Sequence, residues 1–457
     1  MTGVDSHGGV VALQHPPEAS GSHESARLNA PDIGAAAQSS PYREADGTRR
    51  SEILQTAASL FASSGLRTSL QEIADAAGIL PGSLYHHFES KEAILVELLQ
   101  RYHADLDRIG EAAQQRLDDA DSRPVSEKIV QLGSAIAKCA VRHSAALAMS
   151  FHEAPSANPE LMQLVQRPPT AIHQAMLQTL RAGRWSGYIR SDIDLSTLAD
   201  RICQSMLHIG LDVIRQNAPA DQVATLMCQI ILGGLASRSP SDAKLDRSNA
   251  LAAANAVIDT WPDEHQADPD DKAAHVRAVA RAEFGRRGYE VTTIRDIAAA
   301  AGLGTGTVYR LIGSKEELLA SIMRSFGEKV GAGFVSVLRS DSTSIEKLDA
   351  LSWIDINALD RFRDEWKIQL AWMRQSPPNT PNPGLAFATR MRQLKSLLSE
   401  GIRSGDIRVD APSTAMLSRC VIDVLWMPQN IIDAIGKRAA LIHARDTVLR
   451  GAACRKA

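Results

Sequence analysis

The sequence has little cysteine, few aromatics and almost no net charge. Its five cysteines (Cys139, Cys203, Cys228, Cys420 and Cys454) are odd in number and scattered with no C-x-x-C spacing. That argues against a disulfide framework or a cysteine-based zinc site and fits a reducing cytosol. Aromatic residues make up only 4% of the chain, whereas Ala, Leu, Ile, Arg and Glu are plentiful, a balance that favours helix over sheet. The formal charge of −3 gives no global basic signal, so contact with nucleic acid has to come from a local surface. No apolar run reaches about 18 residues, so no membrane span is expected. The N-terminus lacks a basic stretch followed by a long apolar one, so no secretory leader is expected, and the reading is cytoplasmic. A nucleophile elbow, a phosphate loop and a metal-spaced His pair are all missing. Nothing therefore points to an enzyme, to catalytic or metal-ligating residues, or to a resident cofactor.

What is present is a repeat. Residues 1–45, rich in Gly, Ser, Ala, Pro and His, read as a disordered tail. A second polar stretch, 238–269, reads as a linker, although Asn249 to Trp261 within it has some helical character. The two remaining blocks are copies. Ser69-Leu70-Gln71-Glu72-Ile73-Ala74, Ala77-Gly78, Gly82-Ser83-Leu84-Tyr85 and Ser90-Lys91-Glu92 recur as Thr293-Ile294-Arg295-Asp296-Ile297-Ala298, Ala301-Gly302, Gly306-Thr307-Val308-Tyr309 and Ser314-Lys315-Glu316, each offset by 224 positions. Farther on, Gly183, Gly187, Ile189, Arg190 and Asp192 match Gly401, Gly405, Ile407, Arg408 and Asp410 at an offset of 218. Similarity in register at both ends of a long block means a duplicated module.

Within the first copy, Ile53, Leu54, Ala57, Leu60 and Phe61 fall on one face of a helix that Gly65 stops. Ser69 with Glu72 three residues on is a capping-box pattern opening a short helix. Gly78 supplies the tight turn of a helix-turn-helix. Leu80 to His87 is then a recognition helix with Leu84 and Phe88 facing inward, leaving Pro81, Gly82, Ser83, Tyr85, His86 and His87 near the surface. Small residues let such a helix approach DNA, while Tyr85, His86 and Lys91 offer donors to phosphates. The second copy places Thr305, Gly306, Thr307, Tyr309, Arg310 and Lys315 at the same positions, with Arg295 on the preceding helix. The DNA-contacting sets are thus Ser69, Gln71, Pro81, Gly82, Ser83, Tyr85, His86, His87 and Lys91 over 69–88 and its flank, and Thr293, Arg295, Thr305, Gly306, Thr307, Tyr309, Arg310 and Lys315 over 293–312 and its flank.

The order Phe-x-x-x-Gly, then a small-residue recognition helix, then Tyr-x-x-Phe-x-Ser-Lys-Glu resembles the DNA-binding region of the TetR family of repressors. The first copy carries it as Phe61 to Gly65 and Tyr85 to Glu92. The second carries it as Phe284 to Gly288 and Tyr309 to Glu316, with Leu311 and Ile312 where the first has His87 and Phe88. Residues 46–106 hold five Lys/Arg against eight Asp/Glu, a net of −3; residues 270–330 hold ten against eight, a net of +2. The second copy has lost a donor and gained arginine.

The resemblance implies an all-α chain of two tandem TetR-like modules, each a three-helix helix-turn-helix domain (46–106 and 270–330) followed by a helical regulatory domain (107–237 and 331–457) for ligand binding and dimerisation. It places the dimer helices at about 194–216 and 220–236, and at about 412–432 and 434–450. The implied partners are a double-stranded DNA operator and a small-molecule effector, in a repressor that the effector releases. The segment Ala77 to Phe88, with Gly183, Gly187, Tyr188, Ile189 and Arg190, is especially similar to a TetR-family repressor of steroid-ring catabolism that responds to a coenzyme A thioester. This implies an acyl-CoA-like or other apolar effector. The alternative is a constitutive DNA binder, or a scaffold in which the second copy serves only pseudo-dimerisation. Either one chain folds as an intramolecular pseudo-dimer, or full chains pair as a homodimer. His143, His152 and Glu153 offer metal-type ligands but read more simply as surface or pocket-lining groups. Trp353, Trp366, Trp372 and Trp426 fit a large cavity or an aromatic core equally.

Overall fold

The computed structural model describes residues 41–64, 68–118, 123–149, 158–216, 218–261, 271–289, 291–375 and 387–454. It divides into a short unit, residues 1–47, and one compact unit, Thr48–Ala457, which holds both repeats. Every described element is helical. The expected tail lies outside the described residues except for 41–45, which already belong to the first helix.

The first module runs α1 (Pro41–Ser64), α2 (Leu70–Ala76), α3 (Pro81–His87), α4 (Lys91–Asp118), α5 (Val125–Arg142), α6 (Ser144–Met149), α7 (Pro159–Gln166), α8 (Thr170–Trp185), α9 (Leu195–Gln216) and α10 (Ala220–Gly233). Ile53, Leu54, Ala57 and Phe61 of α1, the stripe read from the sequence, are buried, as are Ile73, Leu84 and Phe88. The long α4 connects this small core to a bundle in which α5 packs on α8, α9 and α10. That bundle is filled by Ile129, Leu132, Ile136, Met176, Leu180, Ile202 and Met206, all nearly inaccessible.

The stretch expected as a linker is folded over 238–261. Ser241 caps α11 (Asp242–Asp246) and Ser248 caps α12 (Asn249–Ile258) through their side-chain oxygens. Leu245, Ala250, Leu251, Ala254 and Trp261 are buried. α12 packs on the second module, where Asn255 accepts a 2.7 Å bond from the Trp353 indole, and Trp261 beyond it meets Phe362 in a tilted ring contact at 5.1 Å. The N-terminal polar flank that suggested a linker carries caps and ion pairs instead; the other flank, residues 262–270, lies outside the described residues.

The second module repeats the plan as α13 (Lys272–Arg287), α14 (Ile294–Ala300), α15 (Thr305–Ile312), α16 (Lys315–Arg339), α17 (Ser344–Arg361), α18 (Arg363–Gln375), α19 (Phe387–Ser404), α20 (Thr414–Leu425), α21 (Gln429–Ile435) and α22 (Lys437–Ala444), ending in a π-helical turn, Arg445–Leu449. Trp366 packs edge-on against Phe326, Trp426 sits 4.1 Å from the His208 ring, and Trp353 bonds α12. These three tryptophans bind elements together.

The helices expected to mediate dimerisation meet within the chain. α9 and α10 pack against α20, α10 against the π-helical turn, and α9 against α21. At the crossing the backbone bonds are reciprocal. Leu235 N donates to Val448 O (2.8 Å) and Ala236 N to Leu449 O (2.9 Å), while Ala452 N donates to Ile231 O (3.0 Å) and Ala453 N to Leu232 O (2.8 Å). Each strand-like exit also pairs with the other module's turn. Ile189 bridges Ala453 and Ala236 bridges Ile407, both antiparallel. This i-to-j and j-to-i pattern is the signature of an isologous two-fold interface. It also accounts for the distant repeat. A Cβ on Gly183 would lie 2.8 Å from Ile189, and one on Gly401 2.5 Å from Ile407, so both glycines are fixed by the same close-packed turn.

Polar contacts at the crossing are unequal. Arg201 of α9 is fully buried, with its guanidinium donating to the Val424 carbonyl and to the Met427 sulfur. Arg445 is buried with a bidentate bond to Asp349 (2.8 and 2.9 Å), and it reaches Asp242 and Asp246 of α11.

Candidate nucleic-acid interface

Ser69 opens α2 with a complete capping box. Glu72 N donates to Ser69 Oγ (3.2 Å) while Ser69 N donates to Glu72 Oε2 (2.7 Å). Bonds from the Ser69 backbone, then from its hydroxyl, hold the Glu72 carboxyl below its ordinary value. Thr293 and Asp296 repeat the box on α14, at 3.1 and 2.8 Å. Both hydroxyls are therefore committed to the cap while their residues stay exposed.

The turn is equally well determined. Gly78 has φ +65°, its N–H bonds Asp75 O, and Ile79 N bonds Ala74 O. This pair of bonds is a Schellman ending and requires a left-handed residue. Gly302, with Leu303, reproduces it. Pro81 then starts α3 at a position where a missing N–H costs nothing. Leu84 and Val308 anchor the two recognition helices in their cores.

The outward surfaces follow. Gly82, Ser83, Tyr85 and His86 are exposed, Tyr85 by 55%, and Pro81 and His87 are half-buried. In the second copy Thr305, Gly306, Tyr309 and Arg310 are exposed and Thr307 is half-buried. A Cβ on Gly82 or Gly306 would meet nothing within 4 Å, so both present bare backbone to solvent. Gln71 is exposed and bonds Asp75 along α2 (2.8 Å). Arg295 and Arg310 are exposed and form no ion pair among the described residues.

Lys91 and Lys315 sit differently from the rest. The Lys91 ammonium lies 5.7 Å from the Phe61 ring and Lys315 lies 4.2 Å from Tyr289, both half-buried. Burial lowers the Lys91 pKa, with Glu92 and Glu72 opposing it. The structure thus joins each lysine to the first-helix end of its module.

Two arginines carry roles that the sequence did not reveal. Arg49 donates to Ala77 O (2.9 Å), fastening α1 to the turn. Arg50 lies 4.0 Å over Phe88, donates to His87 O at the end of α3, and bonds Glu97 of α4 (2.5 Å). Their signal was an Arg-Arg pair just ahead of the apolar stripe of α1. In the second copy His275 takes the first role, bonding Ala301 O at 3.3 Å. The copies also differ at the helix end. α3 stops at His87 so that Phe88 can turn into the core, whereas α15 runs on through Leu311 and Ile312 to Gly313.

Two exposed recognition helices on capped, glycine-turned supports define a helix-turn-helix DNA-binding regulator. The family model for bacterial regulatory proteins of the tetR family matches residues 53–98 and again 276–322. The HTH-type transcriptional repressor KstR2 of Rhodococcus jostii (strain RHA1) is 35% identical over 192 residues, covering 41% of this chain and 92% of the relative. KstR2 of Mycobacterium tuberculosis (strain H37Rv) is 33% identical over 193 residues, covering 41% and 93%. The solved structure of the ketosteroid transcriptional regulator KstR2 of Mycobacterium tuberculosis matches 38% of this chain and 89% of that one, with 29% identity and a TM-score of 0.31. The chain belongs to the TetR family, carries its DNA-binding motif twice, and is a DNA-binding transcriptional regulator of the helix-turn-helix type.

Proposed function

We propose that a single chain is a complete operator reader: an intramolecular pseudo-dimer acting in the cytoplasm, whose two unlike recognition helices read an operator with unlike halves. The observation that carries this is the reciprocal ladder joining 231–236 to 448–453, which gives the last helices of both modules the contacts that two subunits would otherwise exchange. Such a reader needs half-sites about 34–36 Å apart, in successive turns of the major groove. Exposed Ser83, Tyr85 and His86 on α3 face a different base set from Thr307, Tyr309 and Arg310 on α15, so the operator has no reason to be palindromic. The net charges of the two reader domains support a larger electrostatic share for the second copy.

An acyl-CoA-like or other apolar effector releases the DNA. The support is the relatedness of the first module to the KstR2 repressors, which spans nearly their whole length and so includes the regulatory bundle as well as the reader.

The test is operator affinity against salt for Tyr85→Phe with Lys91→Gln, and separately Tyr309→Phe with Lys315→Gln. If both copies bind phosphates, each pair lowers the log–log salt slope, by about 0.9 for every phosphate left without its cation. An unchanged second variant makes that copy a scaffold and overturns the reading.

A further inference from the structure

The first regulatory bundle holds a cluster that DNA reading does not use. Asp105 of α4 faces Cys139 and His143 at the end of α5, and one ligand-type atom from each lies within 4.8 Å of the other two. His143 Nε2 bonds Asp105 Oδ2 at 2.6 Å, and both side chains are only 13% exposed. Cys139 is buried at 1% exposure, and the Tyr102 ring lies 5.8 Å from His143. Lys329 stands 224 positions after Asp105, so the second copy does not repeat this carboxylate.

We propose that Asp105, Cys139 and His143 form a three-ligand site for a thiophilic divalent transition metal ion of the zinc class, fastening α4 to α5. Three atoms no more than 4.8 Å apart share a centre within about 2.8 Å of each, against bond lengths of about 2.0–2.3 Å for zinc, so closing on an ion takes a contraction of about half an ångström. The donor set of one thiolate, one imidazole and one carboxylate is a zinc-type set. The ion takes the place of the hydrogen between His143 Nε2 and Asp105 Oδ2: the imidazole binds neutral, with its one proton moved to Nδ1. The other carboxylate oxygen stays bonded to Arg108 Nη2, which orients it, and Arg142 lies 3.5 Å from Oδ2. A fourth, open position takes water.

The ligands match the charge of the ion, with the Arg108 and Arg142 guanidiniums beside the carboxylate opposing it. A thiolate and a carboxylate neutralise the dication, and the thiol proton leaves as the metal enters. Burial, with Asp105 adding to it, pushes the Cys139 thiol up to about 12, so uptake releases this proton and weakens as pH falls. Burial also raises the Asp105 carboxyl, but the bond and charge of His143 and the charges of Arg108 and Arg142 outweigh it and keep it ionised. α4 begins directly after the first recognition helix, so the ion would brace the support of that reader.

Cobalt(II) titrated into the full reduced chain tests this. The expected result is one equivalent bound per chain, with a thiolate-to-cobalt charge-transfer band and tetrahedral visible absorption that zinc abolishes. Cys139→Ser should lose the band and bind at least tenfold more weakly, while Cys454→Ser, at the exposed cysteine, should keep both. Asp105→Asn retains the thiol and should weaken binding at least tenfold, which covers a Cys139 variant that fails to fold. No band, a band that survives Cys139→Ser, a band lost in Cys454→Ser, or unchanged affinity in Asp105→Asn overturns the proposal.

Discussion

Gly234 and Gly451 meet backbone to backbone where the two modules cross. A Cβ on Gly234 would stand 2.5 Å from Gly451 N and Arg450 C, and one on Gly451 2.4 Å from Gly233 C. Both have positive φ, +72° and +84°, and Gly234 at ψ 162° occupies a region that only glycine enters readily. Each glycine makes room for the other, and the pair centres the reciprocal ladder.

Alanine at either position should therefore cost about 2–4 kcal/mol, combining a forbidden backbone with a clash against main chain that cannot rotate away. Gly187→Ala is the control, since its φ is +72° with nothing within 4 Å of a Cβ, and it should cost only about 1 kcal/mol. Urea unfolding separates these. Equal costs at 187 and 234 would mean the crossing carries no special constraint.

Arg445→Met should be more damaging than its one residue suggests. It leaves Asp349, 1% exposed, without its bidentate partner and takes one of two arginines from each of Asp242 and Asp246 of α11, which keep Arg450 and Arg438. Removing one member of a buried pair costs about 3–5 kcal/mol, and Arg445→Met with Asp349→Leu should recover most of it. Hydrogen exchange at residues 242–246 should rise in the single variant. A loss under about 1 kcal/mol would contradict this.

His443 sets a pH dependence. Burial, then the Arg201 charge, lowers its pKa to about 3, so it stays neutral in the fold where the unfolded chain binds a proton below about 6.5. The unfolded state holds more protons across that window. Stability is full above pH 6.5 and falls by about 1.4 kcal/mol per unit as pH drops toward 3. His443→Gln should flatten this slope between pH 6 and 4.5, measured by denaturant unfolding; an unaltered slope would show that the ring titrates normally.

The local grammar of the readers was legible because its determinants lie within four residues of each other. Ser69 with Glu72, Thr293 with Asp296, Gly78 and Gly302 each sit where the cap or turn needs them. Distances of sequence hid the rest. Asp242 and Asp246 look like linker charges until Arg445, Arg438 and Arg450, roughly 200 positions later, come to pair with them. The caps at Ser241 and Ser248 were the available signal for α11 and α12. Lys91 read as a surface donor because sequence does not reveal that its ammonium lies over the Phe61 ring. Asp105 and Cys139 become neighbours only because α4 packs on α5.

The central claim is that one chain supplies both halves of the reader, and its mass in solution tests that most directly. Light scattering of the full-length protein, alone and on its operator, should give a particle of about 49.3 kDa and one chain per DNA duplex. A stable dimer of about twice that mass, or two chains on each operator, would contradict it.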